Sequence, residues 1–179
     1  HKYRQQYVEK LKPVLAKTIA NFLALNNIEI RLVSGWDTTK QFEQLLIAEL
    51  EKDLRYGFTQ SGPHRGDFHL MVNNLLAKDI VSRGQLKLLV ICLKLAQVEL
   101  IFNERNMFGC ILLDDFSAEL DKVNRAKVLD YLCEIQCQVF ITATEINDFG
   151  DLASTEDYKM FHVEQGRVKE VNVPYGTSF

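Results

Sequence analysis

The sequence predicts an α/β fold, with a largely parallel sheet in its later part and a mainly helical portion before it. Three observations predict it. The apolar runs Cys110–Asp114 and Gln138–Thr142 are too short for helices and nearly continuous, the pattern of strands buried on both faces. A segment of helical period, about 122–136, separates them, giving strand, helix and strand in the order of a parallel crossover. A longer helical segment, about 82–103, comes before the first run and carries apolar residues nearly all round, which predicts deep burial.

The elements follow in order. Residues 1–26 read as helix, because Tyr7, Val8, Leu11, Val14, Leu15, Ile19, Phe22 and Leu23 recur at three and four. Pro13 lies inside that pattern and predicts a kink or a second start. The stretch carries Lys2, Arg4, Lys10, Lys12 and Lys17 against Glu9 alone, a solvated face or a surface for nucleic acid. Ile28–Val33 alternates like a half-buried strand, and Ser34-Gly35-Trp36-Asp37 reads as a turn. Residues 39–56 form an amphipathic helix. Ser61-Gly62-Pro63-His64 is the strongest punctuation in the chain, and a domain boundary is expected near 57–62. A short strand around Phe68–Val72 leads to a turn at Asn73-Asn74. Strands near Lys159–Val163 and Val168–Val173 flank a turn at Gln165-Gly166.

Composition sets the bounds. The 179 residues correspond to about one domain, or one with a small appendage. At 47 % hydrophobic and 25 % charged the chain is not disordered. With 21 basic against 24 acidic residues, the net charge of −3 gives no sign of a polyanion-binding protein. No stretch reaches the roughly 18 apolar residues of a membrane span, and no signal peptide opens the chain. Cys92, Cys110, Cys133 and Cys137 make no CxxC pair. Cys133 and Cys137, one helical turn apart, are expected to be buried thiols in a reducing cytosol.

Three strings carry chemistry. Cys110-Ile111-Leu112-Leu113-Asp114-Asp115 describes a buried strand delivering two carboxylates at its C-terminal edge, where open α/β sheets bind ligands. In nucleotide hydrolysis the first acid would hold a Mg²⁺ shell and the second would polarise an attacking water. The same string also suits a strand running into a solvated acidic turn. Ser82-Arg83-Gly84-Gln85 opens the long helix. Ser-x-x-Gln is a capping box, yet the same free amides, positive helix end and glycine suit a terminal phosphate. Asp121, closing Ser117-Ala118-Glu119-Leu120-Asp121, reads on its own as a helix cap.

Taken together and in this order, with Gly62-Pro63-His64-Arg65, these strings resemble the ATPase half-site of the ABC-type superfamily. More specifically they resemble the RecF family of bacterial DNA replication and repair proteins. The likeness is specific over about residues 57–170 and thin over 1–56. It implies an ABC-type ATPase head, of which residues 57–179 would be the C-terminal half, with 1–56 the end of an inserted helical arm or lobe.

The resemblance also assigns roles. Ser82, Arg83, Gly84 and Gln85 match the signature motif, which contacts ATP held by the opposite subunit. Asp114 matches the Walker B aspartate that supports Mg²⁺, and Asp115 the catalytic-base position. Ser117, Ala118, Glu119, Leu120 and Asp121 match the D-loop at the dimer interface. It implies ATP-dependent homodimerisation on DNA, cooperation with RecO and RecR in loading RecA onto gapped DNA, and a cytoplasmic location.

Departures temper the likeness. Arg83 stands where the general signature has glycine, Asp115 is one methylene shorter than the usual glutamate, and Ala143-Thr144 replaces the usual switch histidine. Slow, switch-like hydrolysis is the expectation. No GxxxxGK[ST] occurs and none of the nine glycines precedes lysine, so the phosphate-cradling loop is missing. These residues are therefore expected to be a C-terminal portion that does not bind ATP tightly alone, with His1 a cut edge. His64 and Arg65 suit a turn or a phosphate contact, and Trp36 suits packing or base stacking. Another SMC- or RecN-like ATPase, or a non-catalytic interaction module, are the alternatives.

Overall fold

The computed structural model describes residues 1–105, 109–116, 120–135, 137–145 and 158–171. Its contacts divide the chain into two units, His1–Asn106 and Met107–Phe179. Both mix helix and strand, as an α/β chain should.

The first unit is built on two helices, α1 (Lys2–Phe22) and α4 (Arg83–Arg105). The apolar stripe of α1 becomes its core face: Leu11, Leu15 and Ile19 are at most 3 % exposed, and α1 packs along α4. From α4, Leu88, Leu89, Cys92, Leu95 and Ala96 are buried. Each fully buried Leu or Ile contributes about 1.5–3 kcal/mol. Thr18, fully buried, donates its hydroxyl to the Val14 carbonyl at 3.0 Å and so hides its polar atom within the helix.

Pro13 starts no second helix. It lies on the exposed side of α1, where the carbonyl that its ring leaves unpaired is within reach of water. Three basic side chains of α1 find acids: Lys10 pairs with Glu104 at 2.5 Å, Lys17 with Glu99 at 3.1 Å and Lys12 with Glu9 at 2.6 Å. Such exposed pairs contribute about 0–1 kcal/mol each, and they fit the solvated-face reading.

The sheet of this unit runs β1 (Ile28–Val33), β2 (Asp67–Val72), β3 (Leu75–Leu76). β1 pairs antiparallel with β2 from Ile28↔Val72 to Val33↔Asp67. This ladder crosses the stretch 57–62 expected as a domain boundary. Asn73 and Asn74, at φ 50° and 67°, turn β2 back onto β3 in the conformation of a tight hairpin, and α3 (Ala77–Ile80) follows.

The helix α2 spans Phe42–Tyr56 and begins three residues later than its pattern predicts. Asp37 Oδ1 accepts both the amide of Thr39 at 3.0 Å and its hydroxyl at 2.5 Å, which holds residues 37–39 in a local turn. These two bonds also hold the Asp37 carboxyl below its ordinary pKa. Gly57, at φ 77°, ends α2 with its N–H on the Asp53 carbonyl.

In the second unit β4 (Cys110–Leu113) pairs in parallel with β5 (Gln138–Ile141), and α5 (Lys122–Glu134) forms the crossover. Ile111, Phe116, Leu120, Val128, Leu129, Tyr131 and Leu132 are its buried apolar residues. β6 (Met160–Glu164) and β7 (Arg167–Val171) form an antiparallel hairpin through Gln165 and Gly166, both at positive φ.

Several expectations need correction. Among the described residues β4 and β5 are the one parallel pair; the other two sheets are antiparallel, and in them β2–β3 and β6–β7 are joined by two-residue turns that permit nothing else. Helix α4 is not buried all round: Val90 is 49 % and Ile101 45 % exposed, away from its buried face. Cys133 is exposed and Cys137 half-buried, since the core face of α5 is set by Val128, Leu129, Tyr131 and Leu132. Cys92 is the deeply buried thiol, and desolvation pushes its pKa up to about 12.

Candidate functional site

The parallel pair β4–β5 ends in register, Leu113 opposite Ile141, and both strands deliver polar residues at that edge. Asp114 and Asp115 leave β4 as exposed carboxylates, and Thr142 leaves β5. The Thr142 N–H donates to the Leu113 carbonyl at 2.9 Å, and its carbonyl accepts the Phe116 N–H at 3.0 Å. Its hydroxyl donates to Asp114 Oδ1 at 2.5 Å and accepts the Asp115 N–H at 2.9 Å.

Asp115 sits at φ 49°, in the left-handed region that aspartate tolerates better than most residues. Phe116, 5 % exposed, anchors the chain immediately after it. Two consecutive acids are thus held at a strand end by a buried aromatic and by the neighbouring strand. The donors are hard oxygens, the set that suits Mg²⁺, which takes one or two carboxylates and completes its shell with water and phosphate. Among the described residues no group of three or more His, Cys, Asp or Glu forms a self-sufficient metal cage.

Of the expected D-loop, Leu120 is buried and Asp121 is exposed, while Ser117, Ala118 and Glu119 lie outside the described residues. Asp121 is the N-cap of α5: Oδ1 accepts the Asn124 amide at 2.9 Å and Oδ2 accepts its side-chain Nδ2 at 2.7 Å. These bonds to the ionised form lower the Asp121 pKa.

In the first unit the start of α4 has the expected capping box. Ser82 Oγ accepts the Gln85 N–H at 3.2 Å, and Gln85 Oε1 accepts the Ser82 N–H at 2.9 Å. Arg83 and Gly84 are exposed, and a methyl group built on Gly84 would meet nothing within 4 Å. Arg83 and Gly84 are therefore presented outward from a capped helix start.

The turn at 62–66 is held from both sides. His64 Nε2 lies 2.9 Å from the Thr59 carbonyl, the turn contact that is one of its two readings, and Arg4 of α1 donates to the Pro63 carbonyl at 2.7 Å. Trp36 packs between His1 and Phe42, each ring centroid 5.2 Å away, in line with packing. Thr142 is the residue that reading the sequence missed as part of the site. Its signal was a hydroxyl one residue past a strand in parallel register with the acidic one.

A model of the RecF/RecN/SMC N-terminal domain matches residues 4–169. The chain belongs to this family. Among RecF/RecN/SMC relatives, the DNA replication and repair protein RecF of Shewanella pealeana is 42 % identical over 165 residues, covering 92 % of this chain and 46 % of the relative. RecF of Shewanella piezotolerans matches to the same extent. The chain thus spans about half the length of these curated relatives.

Solved structures agree. The recombination mediator protein RecF-ATP in the RecFOR pathway aligns at TM-score 0.72 and 28 % identity over 96 % of this chain and 46 % of that one. A structure concerned with ATP-driven dimerisation of SMC ATPases aligns at TM-score 0.55 and 14 % identity, a likeness of fold. No helix among the described residues is long and apolar enough to cross a membrane.

Proposed function

We propose that this chain is the signature and Walker B side of a RecF-like ATPase acting in DNA replication and recombinational repair. The observation that carries the reading is the pair of consecutive carboxylates, Asp114 and Asp115, at the C-terminal edge of a parallel strand pair. The 42 % identity to RecF relatives and the likeness to a RecF-ATP structure support it.

In this reading Asp114 would hold a Mg²⁺ ion, which would supply charge neutralisation at the phosphates. Asp115 polarises the attacking water. Ser82, Arg83, Gly84 and Gln85 contact the γ-phosphate of ATP held by the opposite subunit, and Ser117 to Asp121 line the dimer interface. ATP binding then drives homodimerisation on DNA, and slow hydrolysis resets it. Cooperation with RecO and RecR in loading RecA, and a cytoplasmic setting, belong to the same proposal.

The proposal also places these residues. Residues 57–179 are the C-terminal half of the ATPase head, and 1–56 the end of an inserted lobe that lends strand β1 to β2. The matched family is described by its N-terminal domain, so the C-terminal placement rests on motif content alone. That content is a signature and a Walker B string without a GxxxxGK[ST] loop. The missing loop is proposed to come from residues outside this sequence.

The test uses the complete protein. Asp115→Asn keeps ATP-dependent dimerisation and abolishes turnover, while Ser82→Arg or Gly84→Arg blocks dimerisation, read by light scattering and phosphate release. Wild-type behaviour of all three variants refutes the assignment. Rapid single-turnover hydrolysis by the complete protein refutes the slow switch. Micromolar ATP affinity of these 179 residues alone would contradict the divided site.

A further inference from the structure

We propose that Thr142 is the positioning residue of the acidic edge: its hydroxyl orients the Asp114 carboxylate and fixes the backbone of Asp115. The inference rests on the ATPase reading above for what the two acids do, and on geometry alone for how they are held. Four hydrogen bonds converge on this one residue. Its main chain brackets the acids, donating to the Leu113 carbonyl and accepting from the Phe116 amide. Its hydroxyl sits between them, donating to Asp114 Oδ1 at 2.5 Å and accepting the Asp115 amide at 2.9 Å.

The physical need is specific. The terminal torsion of an aspartate is broad, so an exposed carboxylate has no preferred orientation without a donor. The left-handed backbone of Asp115 is sparsely populated and persists only where neighbours hold it. A hydroxyl can donate once while it accepts, so Thr142 meets both needs with one atom. It belongs to the adjacent parallel strand, which ties both acids to the sheet rather than to their own turn. Thr142 acts through Asp114 and Asp115.

The test compares Thr142→Val, which removes the hydroxyl at nearly constant volume, with Thr142→Ser, which keeps it, in the complete protein. Asp114→Asn is the reference. One readout is the Mg²⁺ concentration giving half-maximal ATP-dependent dimerisation. The other, without nucleotide or metal, is the exchange rate of the Asp115 amide in ¹⁵N-aspartate-labelled protein.

Thr142→Val is expected to raise the Mg²⁺ requirement about 10-fold, the lower end of what losing an outer-shell partner costs. It should also speed exchange of the Asp115 amide about 10-fold or more, by removing its acceptor. Thr142→Ser should stay within about twofold of wild type on both. Because Thr142 is exposed, the valine variant should fold; if it is insoluble, Thr142→Ala carries the same expectations.

Unchanged values for Thr142→Val on both readouts overturn the proposal. Faster amide exchange with an unchanged Mg²⁺ requirement reduces Thr142 to a turn residue and overturns its positioning role. If Asp114→Asn itself leaves the Mg²⁺ requirement unchanged, the ATPase reading falls instead, and the exchange readout alone decides whether the hydroxyl holds Asp115.

Discussion

Replacing Gly35 by alanine should destabilise the first unit far more than the same change at Gly57, and the difference can be worked from the structure. Both glycines have positive φ, 87° and 77°. Putting an L-residue there costs about 1–2 kcal/mol in either case. At Gly57 nothing lies within 4 Å of the added methyl group. At Gly35 the methyl would run into backbone atoms of Gly62, Arg65 and Gly66, none of which can rotate away. Opening that contact also strains the bond from the Gly62 amide to the Gly35 carbonyl, at 3.0 Å. Overpacking of this kind adds about 1–3 kcal/mol.

Gly35→Ala is therefore expected to cost about 2–5 kcal/mol and Gly57→Ala about 1–2 kcal/mol. The assay is urea unfolding followed by the fluorescence of Trp36, the single tryptophan of the sequence, which stands next to the perturbed turn. With a slope of about 2 kcal/mol/M, the Gly35→Ala midpoint should fall by about 1–2.5 M. Equal midpoints for the two variants would refute the steric argument. The 62–66 turn would then not rest on the 34–36 loop.

Other outcomes follow from the same geometry. Gly84→Ala should leave stability unchanged or raise it by about 0.5–1 kcal/mol, since the helix start has room for a methyl; loss of ATP-dependent dimerisation in that stable variant would locate the need for glycine in a partner. Iodoacetamide at neutral pH should label Cys110 and Cys133 in the native protein and reach Cys92 only on unfolding, checked by peptide mass spectrometry. The Asp121 carboxyl has a lowered pKa when folded, so the stability it contributes is present above about pH 4 and is lost as pH falls through the folded value. Asp121→Asn should keep the cap of α5 and flatten this acid dependence, measured by circular dichroism between about pH 5 and pH 2.

The local signals that survived into the structure were those with a short-range cause. Asn73-Asn74 and Gln165-Gly166 announced turns because their residues tolerate positive φ, and both turns formed. Ser82 and Gln85 announced a capping box, and both of its bonds are made. What the sequence left hidden depends on pairing between distant segments. Nothing in Ile28–Val33 says that it pairs with 67–72, so the ladder that crosses the stretch 57–62 is not legible in it.

Similarly, Asp114 and Asp115 were legible from an apolar run ending in acids, while the contribution of Thr142, 28 residues from Asp114, was not. A hydroxyl at a strand end has no meaning until the register of two strands is known. The exposure of Cys133 stays hidden in the sequence for a related reason. Helical spacing says which residues share a face, but not which face the rest of the fold covers.

The capping box at the start of α4 carries a last consequence. Ser82 Oγ and Gln85 Oε1 already occupy the amides of Gln85 and Ser82, so an incoming phosphate that seeks either meets a bond already made. On the proposed reading, a phosphate that takes the Gln85 amide displaces a tethered competitor. Breaking one such bond at about 1 kcal/mol weakens its hold roughly fivefold. When it leaves, the side chains are in place to close behind it, so neither of these two amides has to wait for water. A contact of that kind favours prompt release over tight capture, as suits a clasp between two subunits that must reopen.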